Sequence, residues 1–221
     1  MIHLRVADTL LSQLDGISET EFIMGNIAPD SGVPNGDWSE YNPSKDISHF
    51  FEEDENSRKR ISIQKYIDRH FTKEMQKGYI REQYSFYLGY LVHLMTDILW
   101  VKEIDPICIK KSPEEYRQNP EGTVWKWKKE FFDLDALFLR ENPDFRAFAV
   151  FSNAKGFKNQ YMDIFSPEAF DNRREYITDF YCAQRDDLDR EYVYITEKET
   201  ADFVKTSAQT IKNRLSEYID M

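Results

Sequence analysis

Cysteine is scarce in this chain. The two present among 221 residues, Cys108 and Cys182, sit in unrelated contexts. They form neither a disulfide framework nor a paired metal motif, so nothing in the thiols points to an oxidising compartment. Positive charge is also in deficit, with 29 Lys and Arg against 40 Asp and Glu and a net charge of −11. Such a surface repels nucleic acid and anionic membranes at long range, which argues against broad nucleic-acid binding. The opening MIHLRVADTLL has no basic n-region, apolar h-region and cleavage site, so no secretory signal is expected and the cytoplasm is the expected location. No apolar run reaches the roughly 20 residues of a membrane-spanning helix. Internal repeats, low-complexity tracts and alternating strand patterns are missing as well, which leaves an all-α chain as the expected fold, in one domain over residues 1–221.

What is present begins with YSFYLGYLVHLMTDILWV, residues Tyr84 to Val101. From Gln83 to Thr96 there is no Asp, Glu, Lys or Arg, and apolar residues run all the way round the helical wheel. That pattern belongs to a central helix enclosed by others, so the expected fold is a multi-helix bundle around it. His93 and Asp97 lie four apart within it, which puts an imidazole and a carboxylate on one face, roughly 5–6 Å apart at Cβ. One ion could take a ligand from each; a His–Asp hydrogen bond in the core is the other reading this pair allows. Either way a carboxylate on a buried helix needs a compensating partner.

Around this helix the chain reads in order. Leu4, Ala7, Leu10, Leu11 and Leu14 mark a first helix of about three turns that Gly16 would stop, with His3 on the same inward stripe. Phe22, Ile23 and Met24 lead as a short apolar patch into GNIAPDSG, a tight turn holding Asp30. From Gly32 to about Arg60 no period holds; a loop of that length in a compact domain is functional or mobile. His49, beside Phe50 and Phe51, reads as tied to the core, and the charged tail from Glu52 to Arg60 as a solvated rim. A helix over Ile61 to Met75 carries His70 near the edge of its stripe, without a partner motif. After Trp100, Ser112-Pro113-Glu114-Glu115 starts a short helix, Val124 to Arg140 a longer one, and Asp144 to Phe151 another. Trp125 and Trp127 read as core or pocket lining rather than a platform for bases. Ser166-Pro167-Glu168 opens a further helix, and Thr196 with Glu199 forms a capping box before a closing helix with Val204, Ala208, Ile211, Leu215 and Tyr218 in step.

Taken in order, HLRVADTLL, GNIAPDSG, DISHFF and YLGYLVHLMTDILW resemble the zinc-dependent phospholipase C family and the related single-strand-specific zinc nucleases, all-α phosphoesterases. The likeness covers roughly the first hundred residues; the remainder is more similar to uncharacterised bacterial members than to the secreted enzymes. It implies that His49, His93 and Asp97 hold one zinc, with Asp30 close by or bridging. His3, Asp30 and Asp97 would contribute to a second. Water between the metals would attack phosphorus, with Asp30 as the catalytic residue that orients or deprotonates it. Imidazole and carboxylate suit zinc, although such a shell also accepts other first-row divalent ions.

The chain departs from the secreted enzymes in two places. Those enzymes use a free terminal Trp amine as a ligand, whereas this chain begins Met1-Ile2-His3, which leaves the Met1 amine open as a replacement. A His six residues beyond the helical Asp is Glu103 here. No His follows His93, so a third metal would have to be rebuilt from Glu103, Asp133 or Asp135, and one or two ions are expected. The expected activity is metal-dependent hydrolysis of a small phosphoester. The alternative is a non-catalytic relic in which the ion only staples the segments together.

Overall fold

The central expected helix runs from Arg81 to Glu103, and every residue from Ser85 to Thr96 along it is buried. It can be apolar all round because other helices cover each side of it. The nearest is Glu19–Ile27, and two glycines set how near. A Cβ on Gly25 would overlap the Phe86 carbonyl oxygen, and one on Gly89 would overlap the Phe22 carbonyl oxygen and lie 2.9 Å from the Asn26 nitrogen. Each backbone fills the space a side chain would need on the other, so these helices touch main chain to main chain.

The computed structural model describes residues 1–37, 39–55 and 57–219. Its helices are α1 (Ile2–Leu11), α2 (Glu19–Ile27), α3 (Lys45–Ser48), α4 (Ile63–His70), α5 (Lys73–Gln76) and α6 (Arg81–Glu103). They continue as α7 (Asp105–Lys111), α8 (Pro113–Gln118), α9 (Pro120–Glu141), α10 (Arg146–Asn153), α11 (Ala169–Cys182) and α12 (Glu197–Leu215). Helix accounts for 63% of the described residues, so the all-α expectation holds. Two small antiparallel pairs sit in the long loop: β1 (Val33–Pro34) with β2 (Tyr41–Asn42), and β3 (Phe51–Glu53) with β4 (Lys59–Ile61). α1, α2, α4 and α12 pack on α6, and α12 also lies along α1. No helix among the described residues is long and apolar enough to cross a membrane.

Several elements differ from the sequence reading, each for a local reason. α1 stops at Leu11, a turn before Gly16, where the Ser12 hydroxyl and the Gln13 amide both fold back onto the Thr9 carbonyl. Phe22, Ile23 and Met24 belong to a full helix, α2, rather than a patch. The expected helix over Ile61–Met75 breaks at Phe71, because Thr72 Oγ1 accepts from the Met75 amide and starts α5. α11 begins at Ala169, just beyond Ser166-Pro167-Glu168. The capping box at Thr196 and Glu199 is present, and α12 ends at Leu215, short of Tyr218. Trp38, in the long loop, lies outside the described residues.

Ala at Gly25 or Gly89 should raise helix propensity by about 1 kcal/mol yet force α2 and α6 apart, at a cost of about 1–3 kcal/mol or more. Urea unfolding of G25A and G89A should therefore show lower stability than the parent. A gain in stability would contradict the main-chain contact.

Candidate metal centre

The contact between α2 and α6 fixes the first ligand candidate. His93 on α6 is fully buried, and its Nδ1 donates to the Asn26 carbonyl of α2 at 2.7 Å. A carbonyl can only accept, so Nδ1 carries the proton and the Nε2 lone pair points the other way. Nε2 is buried with no hydrogen-bond partner among the described residues. An orphaned acceptor of this kind costs free energy unless something electron-poor meets it. The opposite nitrogen of a metal-bound histidine characteristically donates to a carbonyl in this way.

Three other segments bring groups to that atom. One turn along α6, Asp97 Oδ2 lies 3.4 Å from His93 Nε2. Beyond the end of α2, a single 3₁₀ turn, Ala28–Asp30, presents Asp30. α3 presents His49 just past its last residue, with Nε2 3.4 Å from Asp97 Oδ2 and 3.6 Å from Asp30 Oδ1. His49 is only 3% exposed, and its Nδ1 lies 3.0 Å from Ser48 Oγ. The neighbouring Phe50 takes a left-handed conformation, φ 54°, which a bulky residue adopts only when its surroundings demand it. Its ring is buried against Tyr66, His70 and Tyr90, and Tyr90 donates to the Ser48 carbonyl. The aromatic core thus turns Phe50 inward and leaves His49 facing the centre. Finally α1 lays the His3 ring flat on that of His93, centroids 3.8 Å apart, with His3 Nε2 3.2 Å from Asp97 Oδ1.

All five residues expected from the sequence therefore meet. Ligand atoms from His49, His93 and Asp97 lie within 4.8 Å of one another, and so do those from His3, Asp30 and His93. The first trio is the one expected. The second contains His93 where Asp97 was expected, although Asp97 faces both, one oxygen towards His3 and the other towards His49 and His93. Four bonds of 2.0–2.1 Å in a tetrahedron place neighbouring ligands about 3.3 Å apart. Spacings of 3.2 to 3.4 Å around Asp97 are of that size, so the donor set fits zinc in kind and in separation.

The electrostatics have the same sense. Burial pushes the Asp30 carboxyl up, but Lys45, His93 and His49 together hold it well below the carboxylate range. Burial likewise acts against the charged form of Asp97, and His93 and His3 outweigh it, so Asp97 stays ionised. Burial would lower His93, yet Asp97 and Asp30 draw it upward. His3 shifts down, through burial and the neighbouring His93. Two ionised carboxylates thus create a field that favours positive charge at the histidine nitrogens, and a divalent cation meets that demand.

The expected substitutes for a third site go elsewhere. Asp133 pairs with Arg185 at 3.1 Å and Arg190 at 2.7 Å. Asp135 accepts from the Met1 amine at 3.1 Å and the Tyr181 hydroxyl at 3.0 Å. Among the described residues neither these nor Glu103 joins a group spaced for a metal. His70 is buried among aromatic rings, 5.6 Å from Phe50 and from Tyr87, and burial pushes it down to about 4. It is a core residue, away from the centre.

The centre opens into a cavity of about 830 Å³. Trp125, Phe131, Phe132 and Phe180 line this cavity, together with Lys128 and Arg173. Lys45, four residues before His49 on α3, reaches Asp30 Oδ1 at 3.1 Å. The sequence reading missed all three cations. The i,i+4 spacing to His49 could have marked Lys45, whereas Lys128 and Arg173 carry no local signal.

Residues 2–100 match the family model described as zinc dependent phospholipase C. That span carries the family's sequence pattern, as the four motifs led us to expect, and contains all five converging residues. No curated protein and no solved structure matches the chain.

Zinc at a hundred times its dissociation constant should stabilise the fold by about 2.7 kcal/mol, read from urea unfolding with and without chelator. H93A and D97N should each lose most of that gain. An equal gain in both variants would place the ion somewhere else.

Proposed function

We propose that the protein is a zinc-dependent phosphoester hydrolase whose reaction takes place where the cavity meets the His/Asp centre. The observation that carries this reading is the convergence of three imidazoles and two carboxylates beside a cavity that His3, Asp30 and Asp97 line, within the segment that matches a zinc-dependent phospholipase family.

His49, His93 and Asp97 would hold one zinc, and His3 and Asp30 a second beside it, with Asp97 shared between them. The chemistry zinc supplies at such a centre is Lewis acidity: it withdraws charge from a phosphoryl oxygen and makes a water-derived nucleophile available near neutral pH. The chain's own residues set the conditions for that chemistry. The Asn26 carbonyl fixes the tautomer and direction of His93. Ser48 and the inward-turned Phe50 fix His49. Asp30, kept ionised by Lys45 and the histidines and standing at the cavity edge, is the candidate to orient or deprotonate water. The aromatic side chains of the cavity offer an apolar surface to the rest of the substrate. Two carboxylates and neutral histidines around two divalent cations leave about +2, a local attraction for phosphate on a protein with an acidic surface.

Zinc-loaded protein should cleave 4-nitrophenyl phosphodiesters or monoesters. H93A and D97N should abolish turnover while circular dichroism stays helical, and D30N should lower kcat by about 10²–10⁴-fold, the contribution expected of a positioned acid or base. Protein that binds zinc but cleaves no ester in a broad panel would contradict the hydrolase reading and leave the ion a structural role.

A further inference from the structure

The cavity carries more positive charge than a single phosphate at the His/Asp centre explains. Lys45, Lys128 and Arg173 all line it, in a protein whose net charge is −11. Lys45 has a partner in Asp30. The other two are placed differently. Lys128 lies on α9, its ammonium 4.8 Å from the Trp125 ring centroid, and Arg173 lies on α11, its guanidinium 5.4 Å from that of Tyr176. Among the described residues no carboxylate lies within ion-pair distance of either. The Arg173 Nε is buried with no hydrogen-bond partner among them, and a buried guanidinium donor left unpaired is costly unless something fills its place.

The carboxylates that line the same cavity have partners of their own. Asp135 is held by the Met1 amine and Tyr181, and Asp37 by Ser39. Lys45 is electrostatically linked to each of the other two cations. Partial burial lowers the Lys128 ammonium and the Lys45 charge lowers it further, while the Arg173 charge opposes the upward pull of Asp30 on Lys45. Lys128 and Arg173 come from helices outside the 2–100 segment, so they do not belong to the matched pattern.

From this placement we propose that the cavity selects phosphoesters bearing a second anionic group. The scissile phosphate would sit at the His/Asp centre, the second anion on Arg173 and Lys128, and the apolar part of the molecule along the aromatic wall. A planar guanidinium fork suits a phosphate or carboxylate, with the lysine as a supporting point charge. A cationic head group would be repelled from the same position. The proposal rests on the hydrolase reading for the identity of the first phosphate.

The test uses zinc-loaded, full-length protein and two matched pairs of probes. Calorimetry compares propyl phosphate with propane-1,3-diol bisphosphate. Turnover compares 4-nitrophenyl propyl phosphate with the analogue phosphorylated at the far end of the propyl chain. The doubly anionic member should bind at least tenfold more tightly and be favoured at least tenfold in kcat/KM. R173Q and K128Q should each cut those ratios at least threefold, mainly through KM, and R173K should retain more of the ratio than R173Q. Thermal melts and circular dichroism of each variant separate this from misfolding. Ratios within twofold of unity, or ratios that neither variant moves, would overturn the proposal. Cleavage without preference would leave the hydrolase reading standing and remove this one. A binding preference that depends on Arg173, with no cleavage, would uphold this inference and remove the hydrolase reading.

Discussion

The structure depends on the main-chain contact between α2 and α6. Gly25 and Gly89 each lie where a Cβ would overlap the other helix's backbone, and only that approach brings the Asn26 carbonyl within 2.7 Å of His93 Nδ1. The hydrogen bond sets the tautomer, and the tautomer leaves Nε2 free at the junction of α1, α2, α3 and α6. A packing constraint therefore becomes a chemical one: two residues without side chains determine which nitrogen of a third can bind a cation. The same contact continues α2 into the 3₁₀ turn that carries Asp30, so both sides of the centre are positioned from one interface.

Around that junction the charges are arranged in a way that suits a cation. Asp30 and Asp97 stay ionised despite burial because histidines and Lys45 surround them, and His93 is drawn upward by the same carboxylates. Lys45 supplies part of the compensating positive charge. A divalent ion supplies it with better geometry, since the spacings around Asp97 match the edge of a zinc tetrahedron. Buried charges of this density persist when they are paired or hold a metal.

How much of this was legible in the sequence follows from how local each signal is. The charge-free run from Gln83 to Thr96 announced α6, and His93 with Asp97 followed from helical spacing alone. Asp30 and His49 had local marks, a Gly/Pro turn and a pair of Phe, but their meeting with His93 came only through family resemblance, because nothing in spacing says that residues 63 and 44 positions before it converge on it. α2 was hidden although Ser18 and Glu21 have the spacing of a helix start; the glycine that lets it pack closely made it look like a turn. The two hairpins have strands of two or three residues, too short for alternation to register. The helix break at Phe71 is fixed by the Thr72 cap. Lys128 and Arg173 sit on amphipathic helices where a charged residue ordinarily faces water, and only the tertiary fold sets a cavity beside them.

X-ray absorption at the zinc edge of the freshly purified protein tests the central claim most directly. The account predicts a first shell of nitrogen and oxygen near 2.0–2.1 Å, with the multiple-scattering signature of imidazole, and weaker imidazole scattering in H93A. A protein that takes up no zinc, or one whose zinc shows a shell near 2.3 Å typical of sulfur, would contradict it.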